Sequence, residues 1–356
     1  MKRQSIVIII PALNPDNKLI KYVSELLEKG YEEIILVDDG SDSDHKNVFD
    51  ELKKEGCRVL SHAINMGKGR ALKNAFNYYL SEYDLNFYKG VITVDSDGQH
   101  SVDDVVTLTD MVNHSNKELI IGVRDFDADN VPFKSKFGNK LTKCVIKLLY
   151  GGSISDTQTG LRAIPNGLLY NYLTLSGERF EYETTMLINT LQDKVSIKEC
   201  PIKTIYLNEN KGTHFRPIQD SIAIYSIILG TFIKYVFSSL SSSLIDLGFF
   251  AFFSAILSSC SSEYRIGFAT FFARVLSSFF NYFVNKNIVF GDKSKYKITL
   301  VKYYSLCIMQ MVLSGLGVYG LNFICRIPEL ISKVIVDTIL FFVSYQIQRR
   351  IIFNKR

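Results

Sequence analysis

"VDSDGQHSVDD", Val94 to Asp104, closes an apolar run that begins at Gly90 (GVITV) with two carboxylates two residues apart and a glycine directly behind them. A short apolar run that stops at turn residues reads as a buried strand. Along an extended chain, residues i and i+2 point to one side, so Asp95 and Asp97 face together, and Gln99 joins them where the extension persists. Hard oxygen donors grouped in this way suit Mg²⁺ or Mn²⁺ shared between the protein and a substrate diphosphate. A calcium EF-hand is excluded, because it needs glycine at the sixth loop position and an acid at the twelfth. Counted from Asp95, glycine comes fourth and Val106 stands twelfth.

Working outward, Ser5 to Gly122 alternates β-branched runs with polar-faced helical windows. Strands are predicted at Ser5–Ile10, Glu33–Val37, Arg58–Ser61, Gly90–Val94 and Glu118–Ile121, with helices at Lys18–Lys29, Lys46–Glu55, Gly69–Ser81 and Val102–Asn113. Such alternation implies a mostly parallel sheet covered on both faces, in which ligands bind beyond the carboxyl ends of the strands. Polar clusters fall at those ends: Pro11 to Pro15, Asp38 to Ser41, Asn65 to Gly69 and Asp95 to Gln99. One such cluster is explained by a capped turn. Four on one edge imply a site. Gly67-Lys68-Gly69-Arg70 lacks both the third glycine of a dinucleotide fingerprint and the Gly-Lys-Ser/Thr ending of a phosphate loop, which excludes those classes.

The second part of the chain differs in charge and hydropathy. Met1 to Arg216 holds 27 Lys+Arg against 30 Asp+Glu, whereas Pro217 to Arg356 holds 14 against 6, so −3 and +8 make the overall +5. The basic residues there lie between long apolar runs rather than on one polar face, which excludes nucleic acid as a partner and favours membrane lipids. Spans are predicted at Tyr235–Leu257, Ile266–Val284, Leu300–Ile324 and Leu330–Ile347, each near the ~20 residues that cross a bilayer. Lys286, Lys293, Lys295, Lys297 and Lys302 between spans two and three, with Arg349, Arg350, Lys355 and Arg356 in the tail, put those ends and the first domain on the cytoplasmic side. Pro217–Lys234 reads as a helix lying in the membrane interface, with a fifth spanning helix as the alternative that the charge bias disfavours. Asn281 to Phe290 lines up with Ser344 to Phe353, so the membrane part reads as two similar hairpins in tandem. The exposed faces of so small a helical domain suit self-association into a homo-oligomer. Six scattered cysteines and five histidines show neither a zinc signature nor a disulfide framework.

The ordered series PALNP, VDDGS, NMGKGRALKNAF, DSDGQH, DTQTGLRA and FEYETTML resembles the family 2 glycosyltransferases of GT-A fold, and within them the polyprenyl-phosphate branch typified by dolichol-phosphate mannose synthase and undecaprenyl-phosphate glucosyltransferases. The closing pattern NYFVNKNIVF resembles the GtrA-like membrane family. The resemblance implies an α/β GT-A domain over Met1 to Arg216, the interfacial helix to Lys234, and an all-α transmembrane domain with four helices to Arg356. It further implies that Pro11, Ala12, Asn14 and Asp39 line the nucleoside pocket, and that Asp95, Asp97 and Gln99 hold Mg²⁺ or Mn²⁺ beside Ser96. Lys68, Arg124 and Lys136 would face phosphates. Asp156, Gln158 and Arg162 would sit by the reacting centre, with Asp97, Asp156 and Arg162 as the catalytic group. Lys136, Gln158, Lys211, His214 and Arg216 are candidates for the lipid phosphate.

The expected activity is metal-dependent, inverting transfer of a sugar, with a UDP-sugar favoured, to undecaprenyl or another polyprenyl phosphate at the cytoplasmic face of the cell membrane. One alternative is a glycosyltransferase with another lipid acceptor. A second is a flippase or binding protein for lipid-linked sugar whose soluble domain does not catalyse. A processive synthase is disfavoured, since that branch resembles chains with a QxxRW motif and this one has no tryptophan.

Overall fold

The computed structural model describes residues 4–114, 117–125, 133–203, 216–259 and 261–353. Two compact units, Met1–Ile228 and Leu229–Arg356, divide the chain, so the first extends past the boundary expected at Arg216.

The first unit carries a seven-stranded sheet in the order β3-β2-β1-β4-β6-β5-β7. Its strands are β1 (Ile6–Ala12), β2 (Ile34–Asp38), β3 (Arg58–Ser61), β4 (Gly90–Thr93), β5 (Leu119–Val123), β6 (Arg162–Pro165) and β7 (Ile197–Pro201). The helices between them are α1 (Lys18–Glu28), α2 (Lys46–Lys54), α3 (Lys68–Glu82), α4 (Val102–His114), α5 (Phe133–Tyr150), α6 (Asn166–Leu173) and α7 (Glu181–Gln192). β1, β2 and β4 are buried throughout, as their near-continuous apolar runs require of central strands covered on both faces. Alternate residues Ile6, Ile8, Ile10 and Ala12 pack with Leu19, Val23 and Leu26 of α1 and Val105 and Leu108 of α4 in one core layer.

Neighbouring β3, β2, β1 and β4 all run parallel, so their carboxyl ends share one edge. β6 is antiparallel to β4, with Thr93 opposite Arg162. Its preceding segment, Thr157 to Gly160, therefore arrives at that same edge. β6 and β7 lie outside the strands read from the sequence, because at four and five residues they offer too short a period-2 signal.

The second unit is helical. α8 runs unbroken from Pro217 to Ile256, followed by α9 (Ser262–Val284), α10 (Tyr296–Cys325) and α11 (Glu329–Ile347). The expected interfacial helix and first span are thus one 40-residue helix, about 60 Å long at 1.5 Å per residue and roughly twice a bilayer's hydrocarbon core. Nothing near Lys234 interrupts it: no proline follows Pro217, and Gly230 alone is a tolerable helix residue. Among the described residues, Gln219–Ser259, Tyr296–Cys325 and Glu329–Ile352 are long and apolar enough to cross a membrane. α9, expected as the second span, is not one of these, since Glu263, Arg265, Arg274 and Asn281 interrupt its 23 residues.

The tandem repeat has a structural counterpart within this unit. α9 and α11 both end in wide π-helical turns, Asn285–Val289 and Gln348–Ile352. Repeat-equivalent residues meet one another: Asn285 Nδ2 donates to Gln348 Oε1 (3.0 Å), and Phe290 stacks on Phe353 with centroids 5.4 Å apart. Equivalent contacts also recur within and between the hairpins. Within them Ser242 Oγ donates to Ser277 O and Gln310 Nε2 to Leu340 O, while between them Tyr235 packs on Tyr345 as Tyr303 does on Tyr282.

Candidate active site

A cavity of about 510 Å³ opens at the shared carboxyl edge. Its lining includes Pro11, Ala12 and Leu13 after β1, Asp39 after β2, Asn65, Gly67 and Lys68 before α3, and Asp95, Ser96, Asp97 and Gln99 after β4. Thr157 and Gln158 enter from the segment before β6, and Arg124 from the end of β5. Arg216 and Ile224, just before and within the first turns of α8, complete the rim.

Asp95 is tightly held. Lys68 Nζ lies 2.6 Å from its Oδ1, and His100 Nε2 3.3 Å from its Oδ2. Gly160 forms the wall beside it, where a Cβ would stand 2.3 Å from Asp95 Oδ2. That wall is fixed by Thr93 Oγ1, which donates to Gly160 O at 2.7 Å. Lys68 also reaches Glu183 at 2.9 Å, so its ammonium bridges two carboxylates. Burial alone would lower its pKa, but Asp95 and Glu183 raise it on balance. Asp97 accepts from the Gln99 amide at 3.0 Å. Burial first, then the charge of Asp95, raise its pKa, against the smaller opposing pull of the Gln99 amide, His100 and Lys68.

This donor set fits a hard divalent ion in an open site. Asp97 and Gln99 line the cavity beside Asp95, but the described residues contain no closed group of three or more His, Cys, Asp or Glu around an ion position. One or two carboxylates completed by substrate phosphate is the arrangement Mg²⁺ commonly takes.

Asp39 lines the cavity with both oxygens committed: it accepts from the Met66 and Gly67 amides, each at 2.8 Å, and pairs with His62 Nδ1 at 2.7 Å. It thereby shapes the loop into α3. Gly67 sits there at φ +100, where a Cβ would lie 2.4 Å from Glu178 O, so only glycine suits the turn.

The remaining expected residues divide. Asn14 is absent from the lining; at φ 49 its amide side chain ties Asp42 while its N–H donates to Ser41 Oγ, joining the β1 and β2 loops. Asp156 is fully buried behind the wall, where Arg124 Nε and Nη2 donate to its two oxygens at 2.7 and 3.0 Å. Arg162 is likewise fully buried and donates to the carbonyl oxygens of Thr159 (2.9 Å) and Glu183 (2.7 Å). Both were expected at the reacting centre, and neither lines the cavity. Their motif runs into β6, whose side chains pack into the protein. Lys136 lies on α5, outside the lining, and Lys211 and His214 fall outside the described residues.

The sequence reading assigned no role to Arg179, Phe180, Glu183 and Thr184, all of which line the cavity at the start of α7. Their signal was the FEYETTML motif, whose position depends on the β6–α6 excursion that the sequence pattern left unread. His100 and Gly160 were missed for a different reason, since each acts through Asp95.

Compared with known families, residues 7–182 match glycosyl transferase family 2 and residues 234–353 match the GtrA/DPMS transmembrane domain. An uncharacterised protein of Methanocaldococcus jannaschii is 31% identical over 220 residues, 60% of this chain and 88% of its own. The UDP-N-acetylglucosamine–dolichyl-phosphate N-acetylglucosaminyltransferase of Methanococcus voltae is 31% identical over 224 residues, 58% of this chain and 88% of its own. The chain belongs to the family 2 glycosyltransferases, and carries a GtrA/DPMS-type membrane domain. A more distant relative, the polyprenol monophosphomannose synthase of Mycolicibacterium smegmatis, is 22% identical over 240 residues, 63% of this chain and 88% of its own. Among solved structures, glucosyl-3-phosphoglycerate synthase from Mycobacterium tuberculosis aligns with a TM-score of 0.47 at 18% identity, over 64% of this chain and 79% of its own.

Proposed function

We propose that this glycosyltransferase moves a sugar from a nucleotide diphosphate donor to a polyprenyl phosphate at the cytoplasmic membrane surface. The observation that carries this reading is the composition of one cavity: Asp97, Lys68 and Arg124 at the sheet edge share it with Arg216 and Ile224 from the start of the longest apolar helix. The named acceptors of the M. voltae and M. smegmatis relatives support a dolichyl or polyprenyl phosphate. The M. voltae name also supports a UDP-sugar.

Two anions must meet here, and cations solve that problem. Arg124, aimed by Asp156, and Lys68 serve the diphosphate, while Arg216 and Arg179 serve the lipid phosphate. Asp220, 3% exposed, accepts the Arg216 backbone N–H at 2.6 Å and lies 3.5 Å from its guanidinium, which steadies that side chain at the rim. A lipid phosphate is already anionic near neutral pH, so its oxygen attacks without a strong general base. In-line displacement then inverts the anomeric centre. Asp95, Asp97 and Gln99 are the residues to hold Mg²⁺ or Mn²⁺, which supplies charge stabilisation to the leaving diphosphate.

The lysine-rich connection between α9 and α10 supports the cytoplasmic orientation. For α9 to span as well, its polar groups need partners within the unit. Asp246, 3.5 Å from Arg274 and 2.8 Å from Ser277 Oγ, is one such partner, and the repeat relation to α11 adds support.

The test is direct. Detergent-purified full-length protein is mixed with undecaprenyl or dolichyl phosphate, a panel of labelled sugar nucleotides, and Mg²⁺ or Mn²⁺, with a parallel chelator series. Label moving to the lipid phase with one donor, and lost with chelator, is the expected outcome. Absence of lipid-linked label with every donor, from protein verified as folded, would refute the proposal.

A further inference from the structure

His62 and Asn74 do not line the cavity, yet they reach it through Asp39. Asp39 is the lining carboxylate expected in the nucleoside pocket, and an ionised carboxylate only accepts, at about four lone-pair sites. Oδ1 takes two donors, His62 Nδ1 at 2.7 Å and the Met66 amide at 2.8 Å, and Oδ2 takes the Gly67 amide at 2.8 Å. One acceptor position, on Oδ2, is left for a ligand.

The three donors are not equally fixed. Met66 and Gly67 belong to the loop into α3, where Ile64 and Met66 are 70% and 42% exposed. His62 follows β3 directly, and its side chain is 5% exposed. Its backbone N–H donates to Asp38 O at 2.8 Å, and its Nε2 lies 2.8 Å from Asn74 Nδ2 in the second turn of α3. Because Asp39 can only accept, Nδ1 carries the proton and Nε2 accepts from the Asn74 amide. Each hydrogen bond thus sets the direction of the next, from Asn74 through the ring to the carboxylate. α3 also carries Lys68, 2.6 Å from Asp95. One helix therefore places a cation for the diphosphate and orients Asp39.

We propose that His62, held by Asn74, is a positioning residue that aims the remaining lone pair of Asp39 at a ring N–H of the donor's nucleobase. A carboxylate accepts from the ring N–H of uracil or guanine and rejects cytosine, whose matching ring nitrogen is itself an acceptor. A site built for an N–H discriminates strongly, because the analogue without it leaves a buried polar group unpaired. The inference rests on the reading that this cavity takes a nucleotide donor.

Calorimetric binding of UDP, GDP and CDP with Mn²⁺ to the detergent-purified full-length protein, without a lipid acceptor, tests this apart from transfer. Wild type is expected to bind UDP or GDP at least about tenfold more tightly than CDP. In His62→Leu the preferred nucleotide should bind about tenfold more weakly, with CDP nearly unchanged, as the loss of a hydrogen bond to a charged group predicts. His62→Asn, whose amide N–H takes the place of Nδ1, should recover most of the preference. His62→Gln, whose amide takes the place of Nε2, should not. Asn74→Leu should reduce the preference about threefold, a second reading of the same chain of hydrogen bonds if His62→Leu misfolds. Equal weakening of all three nucleotides in His62→Leu would overturn the assignment, since it would mean that His62 supports the pocket as a whole. A preference kept in both His62→Leu and Asn74→Leu would also overturn it, because the loop amides alone would then aim Asp39. Equal binding of the three nucleotides by wild type would overturn base selection by Asp39 while leaving the donor reading intact. Binding of none would refute the donor reading and this inference with it.

Discussion

Asp97 and Asp156 both lie beyond the sheet's carboxyl edge in short polar motifs, yet their surroundings differ. Asp97 faces the cavity and accepts from one backbone amide. Asp156 is sealed behind the wall with both oxygens held by Arg124. Arg124 and Arg162 repeat the division: the first lines the cavity, while the second is wholly buried and holds two backbone carbonyls. At Asp97 the lining keeps charge for a bound cation to neutralise, whereas Asp156 and Arg162 find their partners inside the wall. A polar motif at a strand end therefore contains residues of both kinds.

The largest effect separates lining from wall outright. Asp97→Ala is expected to lower turnover by about 10²–10³, the scale of losing one preorganised electrostatic contact, with thermal stability retained. Thermal melting alongside the lipid-transfer assay checks both halves, and transfer at the wild-type rate would remove Asp97 from the machinery. Arg162→Met should do the reverse. It strands the Thr159 and Glu183 carbonyls, each at about 1–3 kcal/mol for a buried unsatisfied group, partly offset by no longer burying a charge. Lower melting temperature with KM for the donor unchanged is the expected signature, and an unchanged melting temperature with lost turnover would return Arg162 to the reacting centre.

Gly160→Ala tests where wall and lining touch. A methyl group 2.3 Å from Asp95 Oδ2 must displace that carboxylate or the segment before β6. About 1–3 kcal/mol of strain is expected, together with weaker metal activation, read as a raised Mn²⁺ concentration for half-maximal rate. Asp156→Asn is gentler, since an amide can keep one hydrogen bond to Arg124 while losing the charge. KM for the sugar nucleotide should rise about tenfold, near 1.4 kcal/mol, with kcat less affected.

Much of this division could not be read from the sequence. β1 to β5 and α1 to α4 were legible because apolar periodicity dictates them, and the clusters at Pro11, Asp39, Lys68 and Asp95 followed from parallel topology. Asp156 and Arg162 share a motif with Gln158, which does line the cavity. Nothing in DTQTGLRA distinguishes the three until β6 is known to run antiparallel. Glu183 was out of reach for a similar reason, since its approach to Lys68 joins residues far apart in the chain through α7. In the membrane unit the repeat was visible as aligned residues, but the unbroken α8 was not, because hydropathy marks where a helix turns polar and not whether it ends.

The smallest effect lies in the neighbouring carboxylates Asp38 and Asp39. Asp39 lines the cavity, whereas Asp38, 1% exposed, does not and pairs with Lys46. Burial by itself would raise the Asp38 pKa, but hydrogen bonds from Lys46 and Ser41 outweigh it and hold the carboxyl below its usual range. A depressed folded pKa contributes stability that is fully present above the unfolded value of about 3.9 and is lost as pH falls through the folded one. Because the Lys46 side chain is 44% exposed, solvent screens the pair, and its worth should stay under about 1 kcal/mol. Lys46→Met should therefore melt slightly lower than wild type near neutral pH, and the gap should close as Asp38 becomes protonated in both proteins. A gap of equal size on both sides of that transition would mean that Lys46 acts through packing, and the wall behind Asp39 would then owe nothing to this charge pair.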